Sequence, residues 1–333
     1  MENFWKNKRV LITGICGTIG QELLRQLHEA AVSEIVGIDN NETGLFFLKQ
    51  KYQTSSHITL ELGDLRDRDR LISIMRGIDV VLHAAALKHV GLCEQSPSDA
   101  IQTNILGTQN IIQAAIHNKV ARVLYTSSDK AVNPTNVMGT SKLMGERLIT
   151  AANNFGDGNT VFLSTRFGNV LGSRGSVIPL FKKQIAQGGP VTLTHPDMTR
   201  FIMTLSEATK LVIDSAFLGN AGEVMVTKMP AINIKDLAEI MVRELDPSVQ
   251  IKLIGSKIGE KMYEELVNEE EVRRTRETNN YFIIEPAFAA QRSNAPSIHS
   301  AYNSQKSKKM SREDLRTYLK KNQLLHEQEE VIA

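Results

Sequence analysis

Short runs of apolar and β-branched residues alternate with stretches of helical period along the first half of the chain. The runs predict six strands, at residues 9–14, 34–39, 57–64, 79–86, 121–129 and 160–168. Each run is almost continuously apolar, which is typical of parallel strands that helices cover on both faces. The pattern therefore predicts an α/β fold with a doubly wound, Rossmann-type parallel sheet.

The rhythm is less regular after residue 168. A helix at 206–217 and a strand at 222–227 are expected to complete the sheet. We predict an NAD-binding domain over 1–168, completed by about 204–228, and a smaller nucleotide-sugar-binding cap over 169–203 and 229–290. The remaining residues, 291–333, are predicted to be a connector and a helix. Residues 289–309 are rich in polar side chains and predict loose packing, and Ser311 is expected to cap the last helix.

Composition and charge exclude several classes of protein. The 333 residues are 41% apolar and 23% charged, as in ordinary globular proteins. The 39 basic and 37 acidic residues nearly balance, which argues against a nucleic-acid-binding protein. No apolar run reaches the roughly 18 residues that span a bilayer. Cys16 and Cys93 form neither a disulfide framework nor a metal cluster, and no signal peptide is recognised, so we expect a cytoplasmic protein without a metal site.

A glycine-rich segment follows the first predicted strand and leads into a helix. Gly14, Gly17 and Gly20 allow a tight bend and a close backbone approach to a pyrophosphate, which the helix N-terminus at Thr18 and Ile19 would attract. This position in a strand-turn-helix unit predicts a dinucleotide site. The alternative is that the glycines serve only the turn.

The end of the second predicted strand indicates which dinucleotide is bound. Asp39 lies 19 residues after Gly20, where a carboxylate can accept both hydroxyls of an adenosine ribose and would repel a 2′-phosphate. The predicted cofactor is therefore NAD rather than NADP, unless Asp39 only caps a helix. Asp64 follows the third strand and either accepts from the adenine amino group or caps the next helix.

Two polar clusters follow the fourth and fifth predicted strands, at the sheet edge where open parallel sheets bind ligands. The first reads HAAALKH at 83–89, and the second reads SDKAVNPTNVMGTSK at 128–142. These residues resemble the extended short-chain dehydrogenase/reductase superfamily, and most closely its 4,6-dehydratases that act on UDP-N-acetylglucosamine. The resemblance covers about residues 8–286. It also assigns further cofactor contacts to Asn40, Leu65, Ala84, Ala85, Ala86, Asn104 and Lys142.

Met138 stands where most members of that superfamily have a tyrosine that acts as general base. Because a thioether cannot take a proton, the chain is either inactive or has moved its proton chemistry to Asp129 and Lys130. We favour the second hypothesis, since the resemblance extends to a subset of these dehydratases with methionine at this place. Core packing remains the other explanation for Met138, and a solvated ion pair is the other explanation for Asp129 and Lys130.

The resemblance implies oxidation at C4 by NAD, loss of water across C5 and C6, and return of hydride to C6. Asp129 is expected to protonate the departing C6 hydroxyl, which requires a buried, anion-rich site. Lys130 is expected to remove the C5 proton, which requires a neutral, desolvated amine. Ser128 would bond the C4 oxygen, and Lys142 would hold the nicotinamide ribose. The acceptor of the C4 hydroxyl proton stays open.

The resemblance also assigns residues to a UDP-sugar pocket. The expected contacts are Lys88, Asn169, Arg174, Ser176, Val177, Thr192, Arg200 and Glu264, the last of these at the ribose. Arginine suits a diphosphate because its planar fork can bind two oxygens, although each arginine could instead be a surface charge. Lys257 stands where relatives usually have an arginine, which puts bidentate phosphate binding there in doubt.

The sequence thus predicts a homo-oligomeric NAD-dependent 4,6-dehydratase of UDP-N-acetylglucosamine that serves surface glycan synthesis. Met138 and the segment 302–304 resemble the members that retain configuration at C5, so retention is expected. Three alternatives stay open. They are a C5-inverting dehydratase of the same substrate, a UDP-hexose 4-epimerase, and a redox-sensing NAD-binding scaffold without catalysis.

Overall fold

The computed structural model of the chain describes residues 2–30, 32–155, 158–288 and 298–325. Its strands are β1 (Arg9–Thr13), β2 (Glu34–Asp39), β3 (Ile58–Leu62), β4 (Val80–His83), β5 (Arg122–Thr126), β6 (Val161–Arg166), β7 (Asn169–Val170), β8 (Val191–Leu193), β9 (Thr199–Met203), β10 (Val224–Thr227), β11 (Ala231–Asn233), β12 (Ile251–Leu253), β13 (Glu265–Val267), β14 (Thr275–Glu277), β15 (Tyr281–Ile284) and β16 (Tyr302–Asn303). All six predicted strands of the first half are present.

The α-helices are α1 (Glu2–Trp5), α2 (Thr18–Glu29), α3 (Glu42–Lys51), α4 (Arg68–Ile74), α5 (Val90–Gln95), α6 (Pro97–Ala100), α7 (Gly107–His117), α8 (Val137–Ala152), α9 (Val177–Ala186), α10 (Leu205–Leu218), α11 (Ile234–Leu245), α12 (Glu269–Val272) and α13 (Arg312–Lys321). A π-helical turn, Ile101–Leu106, precedes α7, and a 3-10 turn, Asp129–Ala131, follows β5. Among the residues described, no helix is long and apolar enough to cross a membrane.

A nine-stranded sheet with the order β14-β15-β10-β6-β5-β4-β1-β2-β3 forms the centre of the fold. The strands from β10 to β3 in this order are all parallel, which confirms the predicted doubly wound α/β sheet and the predicted return of β10 to it. Strand β15 is antiparallel to β10, and β14 is antiparallel to β15. These two strands lie within 229–290, which we predicted to be cap, but the sheet includes them because all four residues of β15 are buried against β10.

Helices cover both faces of the sheet, as the continuously apolar strands require. On one face Leu23 and Leu27, one turn apart on α2, pack with Val212 of α10. On the other face Leu71 of α4 and Ile111 of α7 pack together. Each helix buries one apolar stripe, so the sheet is fixed from both sides, and its carboxyl edge can carry polar loops.

The smaller part of the protein has its own apolar core, between α9, α11 and α13. The side chain of Ser311 accepts from the Asp314 amide and caps α13, which confirms the predicted start of this helix. The connector predicted over 289–309 is packed in part. Residues 289–297 lie outside the described residues, but Ser304 is fully buried and the Tyr302 hydroxyl donates to the Met229 carbonyl at 2.8 Å. These hydrogen bonds offset the polar composition that suggested loose packing.

Candidate active site

The turn between β1 and α2 carries the glycines that sequence analysis selected. Gly14 has a φ of +70°, and a Cβ there would lie 2.7 Å from Ala85 Cα. A Cβ on Gly20 would lie 2.2 Å from the Gly14 carbonyl oxygen. Gly17 precedes α2, and its amide donates to that same oxygen at 2.9 Å, which leaves Thr18 and Ile19 as the first helical residues. Only glycine fits this close contact between the turn and the loop after β4.

The loop after β4, residues 84–86, is held from two sides. Its middle residue donates its amide to Thr13 Oγ1 at 3.2 Å. The side chain of Asn104 accepts from the Leu87 amide at 2.8 Å and donates to its carbonyl at 2.9 Å and to Ser141 Oγ at 2.9 Å. Both N–H groups of the Asn104 amide are thus engaged within the protein, so this residue fixes the loop that faces Gly14.

Asp39 ends β2 beside the glycine turn. Its carboxylate accepts from the Cys16 amide at 2.9 Å through one oxygen and from the Asn41 amide at 3.0 Å through the other. The helix cap of α3 is Asn41, whose side chain accepts from the Gly44 amide. The alternative that Asp39 caps a helix is therefore wrong, and its carboxylate lies against the predicted pyrophosphate turn.

The carboxylate of Asp64 is bound by Arg66, two residues later in the chain. Both of its carboxylate oxygens accept from the guanidinium of Arg66, at 2.9 and 2.6 Å, and this lowers the Asp64 pKa to about 2. Asn40 lies 3.4 Å from the same carboxylate, and the side chain of Leu65 is buried. Asp67 caps α4 by accepting from the Arg70 amide, so the alternative role predicted for Asp64, a helix cap, is wrong.

Asp129 and Lys130 form a short 3-10 turn directly after β5. Asp129 is fully buried, and its Oδ1 accepts from Ser128 Oγ at 2.8 Å and from Lys130 Nζ at 3.0 Å. The start of α8 packs on this turn, because a Cβ on Gly139 would lie 2.3 Å from the Lys130 carbonyl oxygen. The second carboxylate oxygen of Asp129 is buried and has no hydrogen-bond partner among the described residues. The pair is therefore not a solvated surface ion pair.

Two further polar side chains approach Lys130. Its Nζ lies 3.6 Å from Glu264 Oε1 and 3.4 Å from Asn169 Oδ1. Burial opposes the charge on Lys130, but the carboxylates of Asp129 and Glu264 outweigh it, so the Lys130 pKa is raised above its ordinary value. The expectation that desolvation leaves a neutral amine here is wrong for this arrangement, and the resting group is an ammonium.

Arg200 is buried beside this cluster, where its guanidinium donates to the Thr199 carbonyl at 2.7 Å and to the Lys261 carbonyl at 2.8 Å. Its Nη2 lies 3.8 Å from Glu260 Oε1, and its Nε lies 4.0 Å from Glu264 Oε1. Arg200 is therefore no surface charge. Glu264 was predicted at the ribose, and the structure brings its carboxylate into an ion cluster with Arg200 and Lys130.

Lys142 lies on α8. Its Nζ donates to the Thr126 carbonyl at 2.9 Å and lies 4.8 Å from the centre of the Tyr125 ring. Burial lowers the Lys142 pKa to about 8. Met138, one helical turn earlier, packs in a small apolar cluster with Cys93. Met138 thus packs in an apolar core cluster, as the alternative explanation predicted, and its side chain supplies no proton-transfer group.

The loop before α9 covers the glycine turn. Arg174 donates from its guanidinium to the Cys16 carbonyl, and its amide lies 3.4 Å from Thr18 Oγ1. Lys88 Nζ donates to the Arg174 carbonyl at 2.8 Å. Two residues predicted to bind the sugar nucleotide are therefore in contact with each other, and one of them contacts the predicted cofactor turn.

The other pocket candidates lie on or near α9. Val177 is its first residue, and the Ser176 hydroxyl is buried without a hydrogen-bond partner in the described part of the chain. The hydroxyl of Thr192, on β8, accepts from Gln184 Nε2 at 2.8 Å and is used inside the cap. Lys257 is exposed on a loop.

The segment that starts at Gly259 supports the Asp129 turn more closely than its sequence indicated. Asn136, which caps α8, donates to the Gly259 carbonyl at 3.0 Å, and Lys261 Nζ donates to the Val132 carbonyl at 2.7 Å. The motif GEKMYEEL at 259–266 was the available signal, but sequence order does not show that it faces Lys130.

Comparison with known proteins places the chain in a family. Residues 10–286 match the polysaccharide biosynthesis protein family. The chain belongs to this family. The match includes the glycine turn, the Asp129 turn, α8 and the segment that carries Glu264.

Two curated relatives illustrate the range of names in the family. The chain is 46% identical over 328 residues to "Uncharacterized membrane protein MJ1061" of Methanocaldococcus jannaschii, a match that covers 96% of this chain and 97% of the relative. It is 41% identical over 286 residues to "UDP-glucose 4-epimerase" of Rickettsia rickettsii, which covers 84% of this chain and 83% of the relative.

Solved structures resemble the family member described here over most of its length. Pen from Bacillus thuringiensis has a TM-score of 0.91 and 42% identity, with 97% of this chain and 100% of Pen covered. DesIV, a dTDP-glucose 4,6-dehydratase from Streptomyces venezuelae solved with NAD and TYD bound, has a TM-score of 0.70 and 24% identity, with 76% and 86% covered. The likeness to DesIV supports the Rossmann-type fold.

Proposed function

We propose that this protein is an NAD-dependent 4,6-dehydratase that converts UDP-N-acetylglucosamine to UDP-2-acetamido-2,6-dideoxy-4-hexulose. The observation that carries the proposal is the Asp129–Lys130 pair, whose carboxylate is fully buried and hydrogen-bonded to the ammonium at 3.0 Å. It lies beside the helix on which Met138 offers no phenol. A paired acid and base suits elimination of water and has no task in simple oxidation of an alcohol.

The residues at the glycine turn fit NAD. Without a Cβ, Gly14 packs directly on the Ala85 backbone and Gly20 on the Gly14 carbonyl, and the twelve-residue helix α2 begins within this turn at Thr18. This closely packed turn with its helix N-terminus is the cradle proposed for the pyrophosphate. Asp39 lies beside the same turn, where a ribose with free hydroxyls is favoured over one with a 2′-phosphate. When bound, NAD supplies the acceptor and donor of hydride for C4 and C6.

Gly14→Ala is expected to lower the free energy of unfolding by about 2–3 kcal/mol, because it combines a left-handed backbone with a steric overlap. The overlap is with Ala85 Cα, 2.7 Å from the added Cβ, so the cradle must also open and NAD affinity should fall at least tenfold. Chemical denaturation and calorimetric titration with NAD measure the two effects. Gly91→Ala is the control, since nothing lies within 4 Å of its added Cβ. Unchanged NAD affinity in Gly14→Ala would contradict the assignment.

The proton chemistry follows from the hydrogen bond between Lys130 Nζ and Asp129 Oδ1. Transfer of one proton along it turns the ammonium and carboxylate into an amine and a carboxylic acid. Lys130 then removes the C5 proton, Asp129 donates its proton to the C6 hydroxyl, and water leaves. The ammonium and carboxylate are thereby restored at the end of the elimination, so the charged resting state of Lys130 is compatible with its role as base.

Lys130 then returns a proton to C5 while hydride reaches C6. Because the same side chain removes and returns this proton, it acts on one face of the sugar, which supports retention at C5. The pair is then one proton short, and the C4 hydroxyl has released one in the first step, so the protons balance. In this mechanism Ser128, whose hydroxyl donates to Asp129 at 2.8 Å, orients the C4 oxygen. Lys142, whose amine donates to the Thr126 carbonyl, holds the nicotinamide ribose.

The wild-type protein incubated with NAD and UDP-N-acetylglucosamine is expected to yield a product that is lighter by one water. A UDP-hexose 4-epimerase, the function that the name of the Rickettsia relative suggests, gives a product of unchanged mass. A product of unchanged mass with inverted configuration at C4 would show that the protein is an epimerase and not a dehydratase. Proton NMR spectra in D₂O report the configuration at C5 and separate retention from inversion.

A scaffold that senses redox state through a thiol is disfavoured by the state of the cysteines. Cys16 and Cys93 are both buried, and burial raises the pKa of both thiols, that of Cys16 to about 12 with a further contribution from Asp39. Reactive cysteines need thiolate character and access, and these two have neither. The scaffold alternative predicts NAD binding without any turnover, so the mass measurement separates it as well.

A further inference from the structure

The ammonium of Lys130 lies between two carboxylates that come from distant parts of the chain. Asp129 Oδ1 is 3.0 Å from its Nζ and belongs to the turn after β5. Glu264 Oε1 is 3.6 Å from the same Nζ, and Glu264 immediately precedes β13. A lysine side chain has many rotamers, so a second anchor restricts the positions that its amine can take.

The side chain of Glu264 is buried and lies among cations. Its side chain is 3% exposed, and its amide donates to Ser304 Oγ at 3.0 Å. Arg200 Nε lies 4.0 Å from one carboxylate oxygen and Lys261 Nζ lies 4.0 Å from the other. Neither cation makes a hydrogen bond to Glu264 among the described residues, whereas both donate to backbone carbonyls. The carboxylate is thus oriented by long-range attraction and packing.

We propose that Glu264 is a positioning residue for the reaction, which holds Lys130 beside Asp129 and retains the proton on Lys130 in the resting protein. The catalytic consequence of this role rests on the proposed dehydratase function. The effect on the charge of Lys130 does not, because it depends on the burial of Lys130 and on the distances between these side chains.

The charged groups that face Lys130 are Asp129, Glu264 and Arg200, and the first two raise its pKa while Arg200 lowers it. Burial raises the pKa of Glu264, against the lowering effects of Lys130, Arg200 and Lys261. Removing the negative charge of Glu264 therefore leaves Lys130 with one carboxylate and one opposing guanidinium. An opposite charge at this distance typically changes a pKa by about one unit or more.

The test uses protein labelled with ¹³C at lysine Cε, with the Lys130 signal assigned through Lys130→Arg. In the wild type the titration midpoint of the Lys130 signal is expected to lie above 10.5, the ordinary lysine pKa. In Glu264→Gln, which preserves shape, the titration midpoint should fall by about one pH unit or more. Glu264→Asp, whose carboxylate lies farther from Lys130, should give a smaller fall and provides a second variant if Glu264→Gln does not fold.

Glu260→Gln is the matched control, because Glu260 approaches Arg200 at 3.8 Å and has no contact with Lys130 in the described structure. Its Lys130 titration should match the wild type. Turnover is measured in parallel, and Glu264→Gln should lower kcat about ten- to hundredfold while KM changes less than about threefold, because binding is kept and geometry is lost. An unchanged Lys130 titration in both Glu264 variants overturns the inference. If the Lys130 titration shifts in the Glu264 variants but the wild type releases no water, only the dehydratase function is overturned.

Discussion

Asp129→Asn is expected to reduce the release of water from UDP-N-acetylglucosamine by a factor of about 10³–10⁴, because a general acid of this kind contributes up to that amount. An amide has the shape of the carboxylic acid but cannot donate the proton that the departing C6 hydroxyl needs. It also removes the negative charge 3.0 Å from Lys130 Nζ, so the proton can no longer pass between the two groups. Product mass measured over time gives the rate.

The fold of this variant should be intact, since asparagine can still accept from Ser128 Oγ and from Lys130 Nζ. Asp67→Asn is the control, because Asp67 is an exposed helix cap and asparagine caps helices equally well. Its rate should equal that of the wild type. Full water release by Asp129→Asn would show that another group protonates the C6 oxygen and would remove the main support for the proposed mechanism.

The parallel sheet could be predicted because strands that are buried on both faces are apolar at nearly every position. The predicted strands nevertheless ran too far at several carboxyl ends, where 84–86 and 127–128 proved to be loops and Asp129 begins a 3-10 turn. Small apolar residues such as Ala85 continue an apolar run in the sequence, but here they pack against the backbone at Gly14. The error therefore fell at the sheet edge where the candidate site lies, because close backbone packing and strand interiors both select apolar residues.

The pairing of Asp129 with Lys130 at the sheet edge could be predicted, but the charge of Lys130 could not. The neighbouring residues Asp129 and Lys130 suggested an acid and a neutral amine, and burial alone would favour the neutral amine. Asp129 itself raises the Lys130 pKa most, and a second raising effect comes from Glu264, which a segment far along the chain brings to 3.6 Å from Lys130 Nζ. The contribution of Glu264 could not be predicted from the sequence. The antiparallel strands β14 and β15 were missed for a similar reason, since short strands that complete a sheet edge have weak local patterns.

Arg166→Met is expected to lower the free energy of unfolding by about 3–5 kcal/mol, the usual result of removing one partner from a buried ion cluster. Arg166 ends β6 with its side chain 1% exposed, and it donates two hydrogen bonds to Glu146 of α8, both 2.7 Å long. It donates two more to Glu271 of α12, at 2.8 and 2.7 Å. Without the guanidinium, two buried carboxylates face each other and must take up protons or separate.

Chemical denaturation at neutral pH measures this loss, and Arg312→Met is the control, because its exposed ion pairs with Asp236 and Glu239 are worth at most about 1 kcal/mol. A triple variant that also carries Glu146→Leu and Glu271→Leu should recover much of the stability, since no unpaired buried charge remains. A loss below about 1 kcal/mol in Arg166→Met would mean that water reaches the carboxylates. The cluster would then not be the fixed link between α12 and the helix that carries Lys142.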